Sequence, residues 1–174
     1  MVWKPFLALA LIGLGQAERA QGLLEESMAA TGRLLGPTSP ELAALLKDLA
    51  GLRQDHGDYA AALPLLQRAV TIEETNYGAA DTRVALTLNN LALLQGEQGA
   101  WRDADALLER AVGIEETALG PDSPELVTTL ENRAAVLDRL DRREEAVALR
   151  QRAAAIKIAS AAQEGGAAPA SATP

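Results

Sequence analysis

The stretch LAGLRQDHGDYAAALPLLQRAVTIEETNYG, residues 49–78, returns as LALLQGEQGAWRDADALLERAVGIEETALG at residues 91–120, displaced by 42 positions without a gap. Across the whole period, residues 41–82 and 83–124 share 17 identities in 42. The same displacement aligns Gly15, Gly57 and Gly99; Ala20, Ala62, Ala104 and Ala146; Leu24, Leu66 and Leu108; and Gly36, Gly78 and Gly120. Columns kept in register along the chain mark a tandem array, in which each unit buries its apolar face against its neighbours. The expected units are 41–82, 83–124 and a terminal 125–160, with a near-complete unit at 1–40 before them and a disordered tail at 161–174, where AAQEGGAAPASATP loses the period.

Each unit reads as two helices. Leu88, Leu91 and Ala92 recur at helical spacing in the first, and Leu107, Leu108, Ala111 and Val112 in the second. Gly57 and Gly99 mark the tight turn between them, and Tyr59 and Trp101, two residues on, are expected to plug the hairpin. Between units, GPTSPEL at Gly36 and GPDSPEL at Gly120 combine a helix stop with a fresh start, with Ser39 and Ser123 as N-caps and Pro40 and Pro124 at the first helical position. The fold class expected is all-α, about three and a half hairpins wound into a right-handed superhelix.

Composition narrows the function. Apolar residues form 48% of the 174 and aromatics only 3%, so burial rests on Leu, Ala, Val and Ile, a mixture that favours helix over sheet. A formal charge of −8 repels nucleic acid and anionic lipid. No Cys is present and His56 is the one histidine, placed beside the turn Gly57 as an exposed residue, so neither a Cys–His pair nor a zinc site is expected. No phosphate-binding loop or GxSxG elbow appears, and Gly13 with Gly15 is a bare GxG inside a helix-like run. Hence no catalytic residue, cofactor or metal is expected. The acidic pairs Glu25–Glu26, Glu73–Glu74 and Glu115–Glu116 read as solvated helix faces. In the last unit Arg133 stands in the column of Leu49 and Leu91, Arg150 in that of Leu66 and Leu108, and Asp141 on the turn glycine. These are expected to give the end of the array a wettable face.

Residues 86–126, LTLNNLALLQGEQGAWRDADALLERAVGIEETALGPDSPEL, resemble the 42-residue tetratricopeptide repeats of kinesin light chains and their bacterial relatives, a resemblance that extends over roughly residues 5–160. It rests on the paired Asn, the Leu-Ala step, the turn Gly, the Ala of the second helix and the Leu-Gly-Pro-Asp linker. The resemblance implies a non-catalytic interaction module whose first helices line a concave groove for an extended or helical peptide of a partner protein, with the Asn pair hydrogen-bonding peptide backbone. Asn89 and Asn90 match that motif; Lys47 and Asp48 stand one unit earlier, Glu131 and Asn132 one unit later, and Arg139 lies near. Only Lys47 and Arg139 are basic among these, so peptide backbone suits the groove better than a single carboxylate terminus would.

The N-terminal MVWKPFLALALIGLGQA has two readings. In the 42-residue register it is the first helix of a repeat, retained in a cytoplasmic protein; with Lys4, an apolar run and Gly15-Gln16-Ala17 it also fits a signal peptide over 1–17 and export. The run is too short for a stable membrane span. Its apolar residues in 1–14 make a homodimer contact, and so a self-assembling structural subunit, the alternative to an adaptor.

Overall fold

The protein is described by a computed structural model over residues 16–165, in which the helices are α1 (Ala17–Leu34), α2 (Pro40–Asp55), α3 (Tyr59–Tyr77), α4 (Thr82–Glu97), α5 (Trp101–Leu119), α6 (Leu126–Arg139) and α7 (Arg143–Gly165). Each packs on its neighbours in sequence, most extensively within the hairpins α2–α3, α4–α5 and α6–α7. This nearest-neighbour pattern is an all-α solenoid. The readings of residues 1–15 as a first helix, a signal peptide or a dimer contact lie outside the described residues. At the other end α7 continues to Gly165, past the boundary at 160, through Ala- and Glu-containing sequence with strong helix propensity.

The turns inside the three hairpins share one geometry. Asp58 N–H bonds Arg53 O at 2.8 Å, Ala100 N–H bonds Gln95 O at 2.9 Å and Arg142 N–H bonds Leu137 O at 2.9 Å, closing each first helix over a left-handed residue. That residue is Gly57 (φ 74°) or Gly99 (φ 78°) in two cases and Asp141 (φ 59°) in the third. A side chain there costs about 1–2 kcal/mol, and Asp is among the few types that visit the region.

Helix starts follow the sequence in one linker and depart from it in another. Ser39 Oγ accepts from Leu42 N–H at 3.3 Å, with Pro40 opening α2. Ser123 does not cap α6. Its hydroxyl donates to the Glu125 carboxylate, Leu126 N–H bonds Ser123 O and Val127 N–H bonds Pro124 O, so a tight three-residue turn precedes a helix that begins at Leu126.

The repeated columns are the core. Ala20, Ala62, Ala104 and Ala146 are fully buried where helices cross, and Leu24, Leu66 and Leu108 fill the space beside them. Arg150, in that leucine column, is exposed and paired with Asp138, as a wettable end requires. Arg133 behaves otherwise. It sits between α5 and α6, donating to Asp105 at 2.8 Å and Glu109 at 2.7 Å, and Arg142 joins Asp105 from the turn. The expectation of an outward-facing arginine fails because α5 supplies Asp105 where α3 supplies Leu63: one junction packs Leu63 with Leu91, and the next replaces both with an ion pair.

The acidic pairs are not all solvated. Glu73 is 3% exposed, accepting from Lys47 Nζ and Thr87 Oγ1 at 2.6 Å each, and Glu115 is half-buried with Thr129 Oγ1 at 3.1 Å. In two of the three pairs the first Glu turns inward to the neighbouring first helices and the second lies toward solvent, where Glu74 meets Arg110 and Glu116 meets Arg152; Glu25 and Glu26 are both exposed, as expected, and Glu25 meets Arg53.

Candidate functional site

The exposed face of the first helices is built from residues spaced i, i+4, i+7 and i+11, which fall on one stripe of a helix. On α4 these are Leu86, Asn90, Leu93 and Glu97; the repeat places Ala44, Asp48, Gly51 and Asp55 on α2, and Thr128, Asn132, Ala135 and Arg139 on α6. The stripes of α4 and α6 meet, because α4 touches α6 directly and a pocket of about 240 Å3 opens between them, lined by Ala92, Leu93, Gly96, Glu97 and Trp101 on one side and Asn132, Ala135, Val136 and Arg139 on the other. Its lining is mostly apolar, with Glu97, Asn132 and Arg139 as the polar members. The Arg139 guanidinium lies 4.3 Å from the centre of the Trp101 ring.

The seven residues expected at a groove divide into two sets. Asp48, Asn90, Asn132 and Arg139 lie on the exposed stripes, with Asp48, Asn90 and Asn132 half-buried and Arg139 open to solvent. Lys47, Asn89 and Glu131 occupy the adjoining column and turn toward their own hairpins or the next helix. Lys47 holds Glu73, Glu131 accepts from Lys157 on α7 at 2.7 Å, and Asn89, 7% exposed, accepts from Asn132 Nδ2 at 2.9 Å. The Asn pair therefore splits: Asn89 ties α4 to α6, and Asn90 alone faces outward.

Burial shapes the electrostatics. Desolvation raises the Asp48 carboxyl above its ordinary value, against the opposing charge of Lys47. Desolvation likewise raises Glu115, with the Thr129 hydroxyl opposing and the charge of Glu125 reinforcing the shift; among the described residues Glu115 Oε2 is a buried oxygen with no hydrogen-bond partner. No group of three or more His, Cys, Asp or Glu able to hold a metal ion occurs among the described residues.

Leu86 and Leu93 on the α4 stripe, and Gly96 and Trp101 at the pocket, join the candidate site and were not singled out for it by sequence. Leu86 is 57% exposed and Leu93 39%, large apolar residues off the buried stripe. That displacement from the helical phase of the core was the available signal. Gly96 is set by its neighbour: a Cβ there would come within 2.9 Å of Trp101 Cζ3, so the indole lies against bare backbone.

Side-by-side first helices, glycine-closed hairpins and a 42-residue period define a helical-repeat interaction fold. The tetratricopeptide repeat family model matches residues 3–75 and 76–159, and the chain belongs to that family. Its repeats are of the kinesin light chain type. The crystal structure of a kinesin light chain from Podosopora anserina with nearly identical TPR-like repeats shares 25% identity and a TM-score of 0.79, covering 90% of this chain and 74% of that one. BtubC (BKLC) from P. vanneervenii shares 22% identity and a TM-score of 0.84, with 98% of this chain covered; the chain spans 66% of that protein's length. MamA has the same fold at 18% identity and a TM-score of 0.69, covering 91% of this chain and 78% of that one. No curated protein matches the sequence significantly. Tetratricopeptide repeats in general are protein–protein interaction modules, and no helix among the described residues is long and apolar enough to cross a membrane.

Proposed function

We propose that the chain is a non-catalytic adaptor that holds a peptide segment of a partner protein in the groove formed by α2, α4 and α6. The observation that carries this reading is the α4 stripe, where two exposed leucines, Leu86 and Leu93, flank Asn90 beside an apolar pocket. Leucines at that spacing bind apolar side chains, and an outward amide between them pairs with peptide backbone. Asn89 contributes indirectly, by fixing α4 against α6.

Leu93→Arg combined with Asn90→Ala alters the face and leaves the buried Asn89 in place. Removing one amide bond of about 0.5–1.5 kcal/mol and a leucine contact of about 1.5–3 kcal/mol should weaken binding by at least tenfold. Affinity capture from the native lysate, read by mass spectrometry, should lose its specific partners with the variant while circular dichroism stays unchanged. Partners retained equally by both proteins would move the binding surface elsewhere.

A self-assembling subunit is the second reading, favoured by Val147 and Ile158, exposed on α7 at 49% and 72%. Light scattering decides: mass that rises with concentration and reverts in Ile158→Glu supports assembly. We place the protein in the cytoplasm. N-terminal sequencing from the native host tests this, since a start near Glu18 would show cleavage and export.

A further inference from the structure

The pocket between α4 and α6 and the charges beside it specify more than a peptide groove. At about 240 Å3 it falls below the roughly 300–1,000 Å3 of small-molecule sites, and it matches a single side chain. Its depth depends on Gly96 and Trp101 together. One repeat earlier Gln54 and Tyr59 hold those positions, so the sequence builds this recess at the α4–α6 junction from residues that the α2–α4 junction lacks.

Carboxylates outnumber cations along the stripes beside it, with Glu97 and Arg139 both at its lining. Asp55 and Glu97 are exposed on the α2 and α4 stripes and Asp48 is half-buried, and none of the three is in an ion pair among the described residues. Of the nearby cations Lys47 is engaged by Glu73 at 2.6 Å, while Arg139, stacked on Trp101, keeps its charge on the α6 side of the pocket, away from the α2 stripe that carries Asp48 and Asp55. Asp55 and Glu97 are also the last residues of α2 and α4, where the helix dipole disfavours a negative charge, and α4 has no basic residue in its last turn to offset it.

Resting on the groove reading above, we propose that the α4–α6 pocket takes one apolar side chain of a partner segment whose neighbouring Lys or Arg is held by Glu97 and Asp55. Adjacent helices lie about 8–10 Å apart and an extended chain advances about 3.3 Å per residue, which sets the basic residue about two to four positions from the apolar one. The partner is thus a basic-apolar segment, of charge opposite to the −8 of this chain.

The test is selection of a displayed library of random dodecapeptides on the immobilised full chain, followed by fluorescence-anisotropy titration of the enriched peptides. Enriched sequences should combine one Leu, Ile, Met or aromatic residue with Lys or Arg at that spacing. Binding should fall at least tenfold with Leu93→Arg, and about three- to tenfold with Glu97→Gln, an exposed site where the variant leaves the core untouched. Peptides that lose binding with Leu93→Arg but carry acidic or uncharged flanks, or that ignore Glu97→Gln, overturn the specificity and leave the groove standing. Enrichment of nothing, or of peptides indifferent to Leu93→Arg, overturns both.

Discussion

The hairpins α2–α3 and α4–α5 share a turn geometry and differ in electrostatics. In the former, Lys47 and Thr87 surround the Glu73 carboxylate and satisfy both oxygens. In the latter, Asn89 replaces Lys47, Thr129 repeats Thr87, and Glu115 keeps one hydroxyl bond and one buried oxygen without a partner among the described residues. The hairpin α6–α7 restores the pair with its signs reversed, Glu131 with Lys157 at 2.7 Å. The period therefore keeps the backbone position while its charge changes from repeat to repeat. Where the cation is exchanged for an amide, that amide is redirected to the next first helix, Asn89 to Asn132.

The apolar columns should not distinguish the two hairpins. Leu66→Ala and Leu108→Ala should each cost about 2–5 kcal/mol and lower the melting temperature by several degrees. A large inequality between them would show that the hairpins differ in packing as well as charge. Lys47→Met comes next. It leaves Glu73, 3% exposed, with only Thr87, and should cost about 1–3 kcal/mol in urea denaturation, discounted from a fully buried pair because the Lys side chain is 26% exposed.

Identical substitutions should then diverge in sign. Glu73→Gln lowers stability by removing the charge that Lys47 pairs with, whereas Glu115→Gln is neutral or stabilising at pH 7. For Glu115 the folded protein favours the protonated carboxyl, because desolvation raises it above the ordinary 4.5. The folded state then binds more protons than the unfolded chain, and stability from this group, present below about pH 4.5, is lost as pH rises through the folded-state value. Melting curves across pH 4 to 8 should accordingly show Glu115→Gln gaining on the wild type with rising pH; parallel curves would remove the contrast. The smallest effect expected is that of Asn89→Lys. It supplies the missing cation but breaks the bond to Asn132, for a net gain of about 1 kcal/mol or less, and it should flatten the same pH dependence.

Much of the fold was legible because it depends on spacing. The 42-residue columns, the turn at Gly57 and Gly99 and the Ser39 cap follow from residue type at fixed offsets. The site was legible in outline only. Asn89 and Asn90 are adjacent in sequence but a helical step of about 100° separates them, enough to bury one and expose the other. Phase against Ala85, Leu88 and Ala92 was the missing test. The partners of Glu73 and Glu115 lie across a hairpin or on the following helix, so acidic pairs compared along one helix read as solvent-facing. The exchange of Leu63 and Leu91 for Asp105 and Arg133 involves two columns 28 residues apart that change together, which no single column reveals.

That exchange gives the two halves of the groove different responses to their surroundings. The junction holding Leu63 and Leu91 is apolar, so it weakens on cooling and tightens in strongly hydrated salts such as sulfate. The junction holding Asp105 and Arg133, with Glu109 and Arg142 at its wetter edge, is governed by charge; ionic strength screens its exposed members, and warming lowers the cost of keeping its ions out of water. Salt should therefore loosen only the wetter edge of the α5–α6 junction, leaving the buried Arg133–Asp105 pair largely unscreened, while it tightens the apolar α3–α4 junction.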